Sequence, residues 1–425
     1  MKVLLVTLYF PPAGGGGVQR PLKFATHLPG LGIELHVLAP DDPKWIHRDD
    51  DLPTPSLAWV HRVRFVGPRG RRPAEELHGM AGLERYSRQL QLFGRRLLFP
   101  DENVSWNLTA IPAALRIVRE EGIDVVITTS PPGSVHLVGA AVKRQTGVRW
   151  VADLRDSLVA HPHRDAQRLI VRAKEQGHHL VARLAASQAD AVVTVSEAIA
   201  EEMRALSPRG PVVTIANGSD FDDFAGLEYS APTYEPGGPP FRITHAGSFF
   251  GKRDPKPFLT ALARVNGVVA RFVGDFRASD AEWAKGIADR IELISYAPHR
   301  RSLELQRDSE ALLLLIPEAE GRGRGVLSGK VFEYLAAERP ILALVPPDGA
   351  AARLLRDTGA GVVVAPDDID GIARELTALR DRWRAGELAS PVLSDEWRHK
   401  VSRRTRVEEL ADLLERLETG AGNEP

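Results

Sequence analysis

Short runs of apolar, often β-branched residues alternate along this chain with segments whose apolar positions recur every three to four residues. In the first half the runs predict strands at 3–8, 33–39, 59–66, 124–128, 149–152, 190–195 and 212–215. Helices are predicted near 18–29, 107–121, 133–146, 164–188 and 196–206. The strand runs are nearly continuous in apolar character, as strands covered on both faces require. Alternation of strand and helix predicts a parallel, doubly wound α/β sheet.

Asn217-Gly218-Ser219-Asp220 closes that pattern, and the stretch Tyr234-Glu235-Pro236-Gly237-Gly238-Pro239-Pro240 has the composition of a linker. The alternation then restarts at Phe241–Ala246, with further strands predicted at 268–273, 291–294, 311–316, 340–345 and 361–365. The restart repeats the opening order of strand, Gly-bearing loop and helix. Two Rossmann-like domains are therefore expected, at 1–220 and 241–394, joined by a linker at 221–240. A charged amphipathic helix over 395–418, with a frayed tail, completes the chain.

A length of 425 residues agrees with two domains. With 55 basic against 56 acidic residues, no global field favours nucleic acid, so phosphate binding must be local. The absence of cysteine removes disulfides, thiolate metal sites and cysteine nucleophiles, and fits a reducing compartment. The apolar start Met1–Leu8 ends in Tyr9-Phe10-Pro11-Pro12 and four glycines, which reads as a buried first strand and not as a signal peptide. No run is long enough to span a membrane. The expected location is the cytoplasm.

Ligands of open parallel sheets bind beyond the carboxyl ends of the strands, and three loops there carry suitable chemistry. The first, Pro11–Val18, holds Gly15, Gly16 and Gly17 before a helix, where backbone can approach a ligand closely. Its glycines are contiguous and Asp41 and Asp42 come late after strand two, so it is not a dinucleotide fingerprint; ligand binding is nevertheless favoured over a turn needed only for packing. The second, Gly247–Lys256, gathers Gly247, Ser248 and the cations Lys252, Arg253 and Lys256 before a helix that Pro255 or Pro257 starts. The third, Gly321–Pro340, is the most specific. A Gly-rich loop opens a helix at Ser328, so the Ser328-Gly329 amides and Lys330 can meet phosphate oxygens, and Glu333 can accept two hydrogen bonds from a ribose diol.

Those residues carry a family resemblance. Ser328 to Pro340 resembles the donor-site signature of glycosyltransferase family four, and Asn217–Asp220 is similar to its interdomain Asn-Gly-Val-Asp segment. Val193–Glu197 matches as well, and Thr129-Ser130-Pro131-Pro132 and Ala152–Asp156 look like bacterial members acting in glycan and natural-product assembly. The resemblance implies a GT-B fold with two parallel sheets facing across a cleft and a C-terminal helix crossing back to the N-terminal domain. It further implies a UDP-, GDP- or dTDP-sugar donor held mainly by the C-terminal domain, transfer to an acceptor hydroxyl with retention of configuration, and no required cofactor or metal. By the same resemblance Glu333 binds the ribose, Arg253 and Lys330 face the diphosphate, and Ser328 and Gly329 supply amides. The acceptor hydroxyl attacks on the leaving-group face and the phosphate takes its proton. Two departures stand out: many members carry an acid where Gly325 stands here, for which Glu318 or Glu320 are candidate substitutes, and Glu338 replaces a usual glycine.

On the acceptor side, Asp156 follows strand five and can orient or deprotonate a hydroxyl, unless it pairs with Arg155. His136, early in a helix, can bond a sugar hydroxyl or serve as a satisfied core residue. His161 with His163, and His178 with His179, lack helical metal-site spacing, and Asp49-Asp50-Asp51 reads as a solvated loop. The stretch Leu83–Pro100 mixes arginine with leucine and phenylalanine; an ordinary domain helix is the favoured reading, with contact to a bulky acceptor or peripherally to the inner face of a membrane as the alternative. Nothing fixes an oligomeric state. A sugar-nucleotide epimerase of the same fold, or a silent nucleotide-sugar-binding protein, stays open beside the transferase. A nicotinamide oxidoreductase is disfavoured by the missing fingerprint.

Overall fold

The structure is a computed structural model that describes residues 1–41, 47–66, 82–83, 86–87, 94, 97–159, 169–227, 234–247, 254–274, 284–318 and 324–419. The chain divides into two compact units, one formed by Met1–Ala216 with Arg406–Pro425 and the other by Asn217–Thr405.

The first unit is built on seven parallel strands: β1 (Lys2–Thr7), β2 (Glu34–Pro40), β3 (Ala58–Val63), β4 (Val125–Thr129), β5 (Arg149–Leu154), β6 (Ala191–Thr194) and β7 (Val212–Thr214). Their order is β3-β2-β1-β4-β5-β6-β7. Central strands are buried on both faces, which is why their sequences lack the alternation of a half-exposed strand. One face packs Val3, Leu5 and Val37 against Val407, Leu410 and Leu414 of the last helix, Arg403–Thr419. The expected return of the C-terminal helix to this sheet is thus observed, through its apolar stripe. The other face packs Leu4, Val6 and Val126 against the helices Asn107–Glu121 and Val135–Thr146.

The second unit repeats the plan with β8 (Phe241–Ala246), β9 (Val268–Val273), β10 (Ile291–Ile294), β11 (Ala311–Leu315), β12 (Ile341–Leu344) and β13 (Gly361–Val364), in the order β10-β9-β8-β11-β12-β13. In both sheets the order reverses beside the first strand, between β1 and β4 and between β8 and β11. Such a reversal sends successive crossovers to opposite faces and opens a crevice at the strand ends.

The terminal segment departs from the single helix expected over 395–418. It forms two helices, Asp395–Val401 and Arg403–Thr419, broken at an extended Ser402. There the backbone pairs instead with the Asn217–Asp220 segment: Ser219 N donates to Val401 O at 2.7 Å and Arg403 N to Ser219 O at 3.0 Å. Gly218 permits the approach, because a Cβ on it would stand 2.3 Å from Arg403 Cα. Arg403 then donates through Nε to Asp220 at 2.6 Å.

Glu338 has a physical explanation. It occupies the left-handed position that ends the helix Gly329–Ala337, with φ of 52°, where glycine is usual. Its carboxylate is held by Arg398 at 2.6 Å and Arg307 at 3.8 Å. Glu338→Ala, which keeps the strain and loses both partners, is expected to destabilise the protein by about 1 kcal/mol more than Glu338→Gly, which relieves the strain; urea midpoints of the two variants measure the difference.

Candidate functional site

In the second unit the chemistry collects at the carboxyl end of β8 and the start of the helix Gly329–Ala337, beside the β8/β11 switch point. Two hydrogen bonds fix that helix against its surroundings. Tyr334 Oη accepts from Ala246 N at 2.8 Å, and Ser219 Oγ donates to Phe332 O at 2.7 Å. Gly247 follows at once with φ of +132°, a conformation open to glycine, and its N donates to Val273 O at 2.6 Å.

Lys330 lies directly over Gly247: a Cβ built there would stand 2.2 Å from Lys330 Nζ and 2.3 Å from Cε. The helix begins at Ser328 with no side-chain cap and no acid in its first turn. Ser328 Oγ is buried without a hydrogen-bond partner among the described residues. A cation in the first turn of an uncapped helix is unfavourable by ~0.3–1 kcal/mol on its own. An anion bound at the amides reverses that sign, so the arrangement suits a phosphate better than an empty surface. Glu333, half-buried one turn further on, accepts a hydrogen bond from Gln306 of the helix His299–Arg307.

The structure therefore brings together Gly247, Ser328, Gly329, Lys330 and Glu333. Ser248 and Arg253 lie outside the described residues, as do Asp42, Lys252, His161, His163, Glu320, residues 164–168 and most of the arginine-bearing stretch 83–96. Glu318, a candidate for the missing acid at Gly325, is exposed and pairs with Arg324 at 3.3 Å.

In the first unit, Gly15 opens the helix Gly16–His27 with φ of 89°, and a Cβ on Gly15 or Gly16 would meet nothing within 4 Å. Gly17 packs on the Tyr9 ring. Asp156 is exposed immediately after β5. Arg155 does not spend its guanidinium on Asp156; it donates to Ser130 O and, at 2.7 Å, to Gly17 O, tying the Gly-rich loop to the loop after β4. Burial lowers the Arg155 pKa, with Asp153 and Asp156 opposing the shift. Beneath it lies a buried pair that no sequence motif marks. Arg20 Nε and Nη2 donate to the two Asp153 oxygens at 3.1 and 2.8 Å, and Thr129 Oγ1 donates to Asp153 at 2.6 Å. Arg20 is 3% exposed and Asp153 1%. The signal was present: an acid inside the apolar run Val151–Leu154 demands a cation.

The expectation of a solvated loop holds for Asp50 and Asp51, which are exposed, and needs correction for Asp49. Asp49 is buried, because residues 47–49 pair with the Gly-rich loop: Gly14 N donates to His47 O at 2.6 Å and Asp49 N to Pro12 O at 2.9 Å. His178 is likewise buried on its helix, with Nδ1 donating to Lys174 O at 2.7 Å.

His136 is fully buried. The Thr128 hydroxyl, which accepts from Trp150 Nε1 at 2.8 Å, lies 2.9 Å from His136 Nδ1, and His136 Nε2 has no hydrogen-bond partner among the described residues. Burial pushes the His136 pKa down to about 4. The folded value lies below the unfolded one, so this contribution to stability is full above the ordinary histidine range and is lost as pH falls toward 4. Between about pH 7.5 and about pH 5 the loss amounts to roughly 2 kcal/mol at 1.36 kcal/mol per unit. Burial and the neighbouring His36 also lower the His61 pKa, adding in the same direction. Urea midpoints at the two pH values should fall for the native chain, and the fall should shrink in His136→Gln.

Residues 15–218 match the family described as a glycosyl transferase 4-like domain. No curated protein matches the sequence. Among solved structures, the chain is similar to sucrose-phosphate synthase from Thermosynechococcus elongatus, with a TM-score of 0.65 at 15% identity, covering 99% of each chain. It is similar to Anabaena HepE in complex with UDP-glucose, with a TM-score of 0.62 at 14% identity over 98% of this chain and 99% of that one. A putative UDP-N-acetylglucosamine 2-epimerase from Listeria monocytogenes shares the fold at a TM-score of 0.53 and 11% identity, over 98% and 96% of the two chains. The chain thus resembles the family four glycosyltransferases in sequence over its first half, and in its GT-B fold over nearly its whole length.

Proposed function

We propose that this protein is a retaining glycosyltransferase that moves a sugar from a nucleotide diphosphate sugar to an acceptor hydroxyl, in bacterial glycan, glycolipid or natural-product assembly. The observation that carries the reading is the convergence of an uncapped helix start, Lys330 over Gly247, and Glu333 at one sheet end. The glycosyl transferase 4-like match in the first half supports it, and HepE, solved with UDP-glucose, supplies the class of donor.

As the glycosidic bond breaks, negative charge grows on the leaving diphosphate. Lys330 and the amides at Ser328 and Gly329 face that charge, and by the family resemblance Arg253 joins them, so their hydrogen bonds strengthen as the bond lengthens. Glu333 holds the ribose diol. Gly15, Gly16 and Gly17 admit the acceptor or the sugar close to backbone, and Asp156 orients the acceptor hydroxyl, whose proton passes to the leaving phosphate. His136 stays outside this chemistry, because its ring is buried in the core beyond reach of a sugar hydroxyl. No metal or cofactor takes part. The enzyme works in the cytoplasm, with peripheral contact at the inner face of the membrane if its acceptor is a lipid.

Incubation with UDP-, GDP- and dTDP-hexoses, followed by mass spectrometry and proton NMR of the products, tests this reading. A transferase releases nucleoside diphosphate together with a glycoside or free sugar. An epimerase, which the Listeria structure keeps in view, returns an altered sugar still on its nucleotide or as the free epimer. No turnover of any donor by a chain that still binds nucleotide would leave a silent binding protein.

A further inference from the structure

Gln306 is a buried glutamine set between Ser302 and Glu333. It is 0% exposed, on the helix His299–Arg307. Neighbouring buried positions on that helix are Leu303 and Leu305, so the fold alone would accept a methionine or leucine at 306. Its amide nitrogen has two hydrogens, and both are engaged: one toward Ser302 Oγ at 3.3 Å, the other on Glu333 Oε1. A carboxylate oxygen only accepts, so the amide orientation is set, and Gln306 Oε1 is left buried without a hydrogen-bond partner among the described residues. A buried acceptor left in that state is disfavoured. What the glutamine does contribute is a fixed direction for Glu333.

We infer that Gln306 is a positioning residue for the ribose site: it holds one oxygen of Glu333 so that the other, and the carboxylate plane, stay turned toward the sugar diol. A glutamate has three side-chain torsions, and without a partner it samples rotamers that cannot engage both hydroxyls of a diol. Gln306 touches no ligand itself. Its effect passes through Glu333 alone, so it must vanish for a nucleotide without the diol. The inference rests on the donor reading above, in which Glu333 meets ribose.

The test compares affinities for UDP or GDP, whichever binds more tightly, with those for its 2′,3′-dideoxy counterpart, by calorimetry. The native chain should prefer the ribonucleotide by roughly tenfold or more, the scale of a hydrogen bond to a charged group. Gln306→Met, similar in volume but without a donor, should lose most of that preference while binding the dideoxy nucleotide as before. Gln306→Glu, which sets an acceptor against Glu333, should lose it too and serves if the methionine variant does not fold. In a Glu333→Ala background, Gln306→Met should change nothing further. If Gln306→Met weakens both nucleotides equally, or neither, the positioning role is overturned while the donor site stands. If the native chain itself does not distinguish the two nucleotides, the ribose role of Glu333 falls and takes this inference with it.

Discussion

Lys330→Met should lower kcat/KM for the nucleotide-sugar by about 10²–10³-fold, an effect of roughly 2.7–4 kcal/mol on the scale of a single preorganised donor to a developing oxyanion. Its ammonium rests on the Gly247 Cα, at the start of an uncapped helix and at the carboxyl end of β8. Positive charge there pairs with a diphosphate whose charge increases as the glycosidic bond breaks, so the loss should fall on kcat as well as on KM. Gly247→Ala should reproduce most of the defect by displacing the lysine and not replacing it. The new Cβ would occupy the space of Lys330 Nζ and Cε, and a φ of +132° is strained for any side chain. Steady-state kinetics of both variants on the donor that the native enzyme turns over measure this. An unchanged kcat/KM in Lys330→Met would remove Lys330 from the reaction.

The second large effect concerns stability. Asp153→Ala should destabilise the first unit by about 3–5 kcal/mol, because it leaves the guanidinium of Arg20 buried without its carboxylate. Arg20 is nearly inaccessible and both Asp153 oxygens accept from it, so solvent cannot replace the partner. Thr129 loses its acceptor at the same time. The remaining bond from Arg20 to Ala216 O, at 3.1 Å, is to a neutral carbonyl. Replacing both partners by apolar residues, Arg20→Met with Asp153→Leu, should recover much of the loss, since no charge is then stranded. Urea unfolding measures the total, and hydrogen exchange in β1, β4 and β5 assigns it to this unit. A loss under 1 kcal/mol for Asp153→Ala would mean that water reaches the pair.

Both effects bear on how much of the molecule could be read from its residues. Continuous apolar runs such as Val3–Val6 and Leu312–Leu315 announce central parallel strands because nothing else tolerates them there. The start at Ser328 and the turn at Gly247 were legible because an uncapped Gly-rich loop ahead of a lysine has few structural uses. Side-chain partnerships across long separations were not. The span from Arg20 to Asp153 is set by the strand order β1-β4-β5, and local periodicity carries no record of order. Gln306 escaped notice for the same reason: its partner is 27 residues away on another helix. The break at Ser402 was hidden because the competing bonds come from Ser219, on a segment read only as an interdomain motif. Burial of Asp49 followed from pairing with a loop that composition alone describes as exposed.

The most direct test of the donor site is a calorimetric titration of UDP and GDP into the native chain and into Glu333→Ala. A carboxylate that accepts from a ribose diol predicts saturable binding of at least one nucleotide and a loss of about tenfold or more in the variant. Equal affinity in the two proteins would contradict the assignment of the Ser328–Glu333 helix as the seat of the nucleotide.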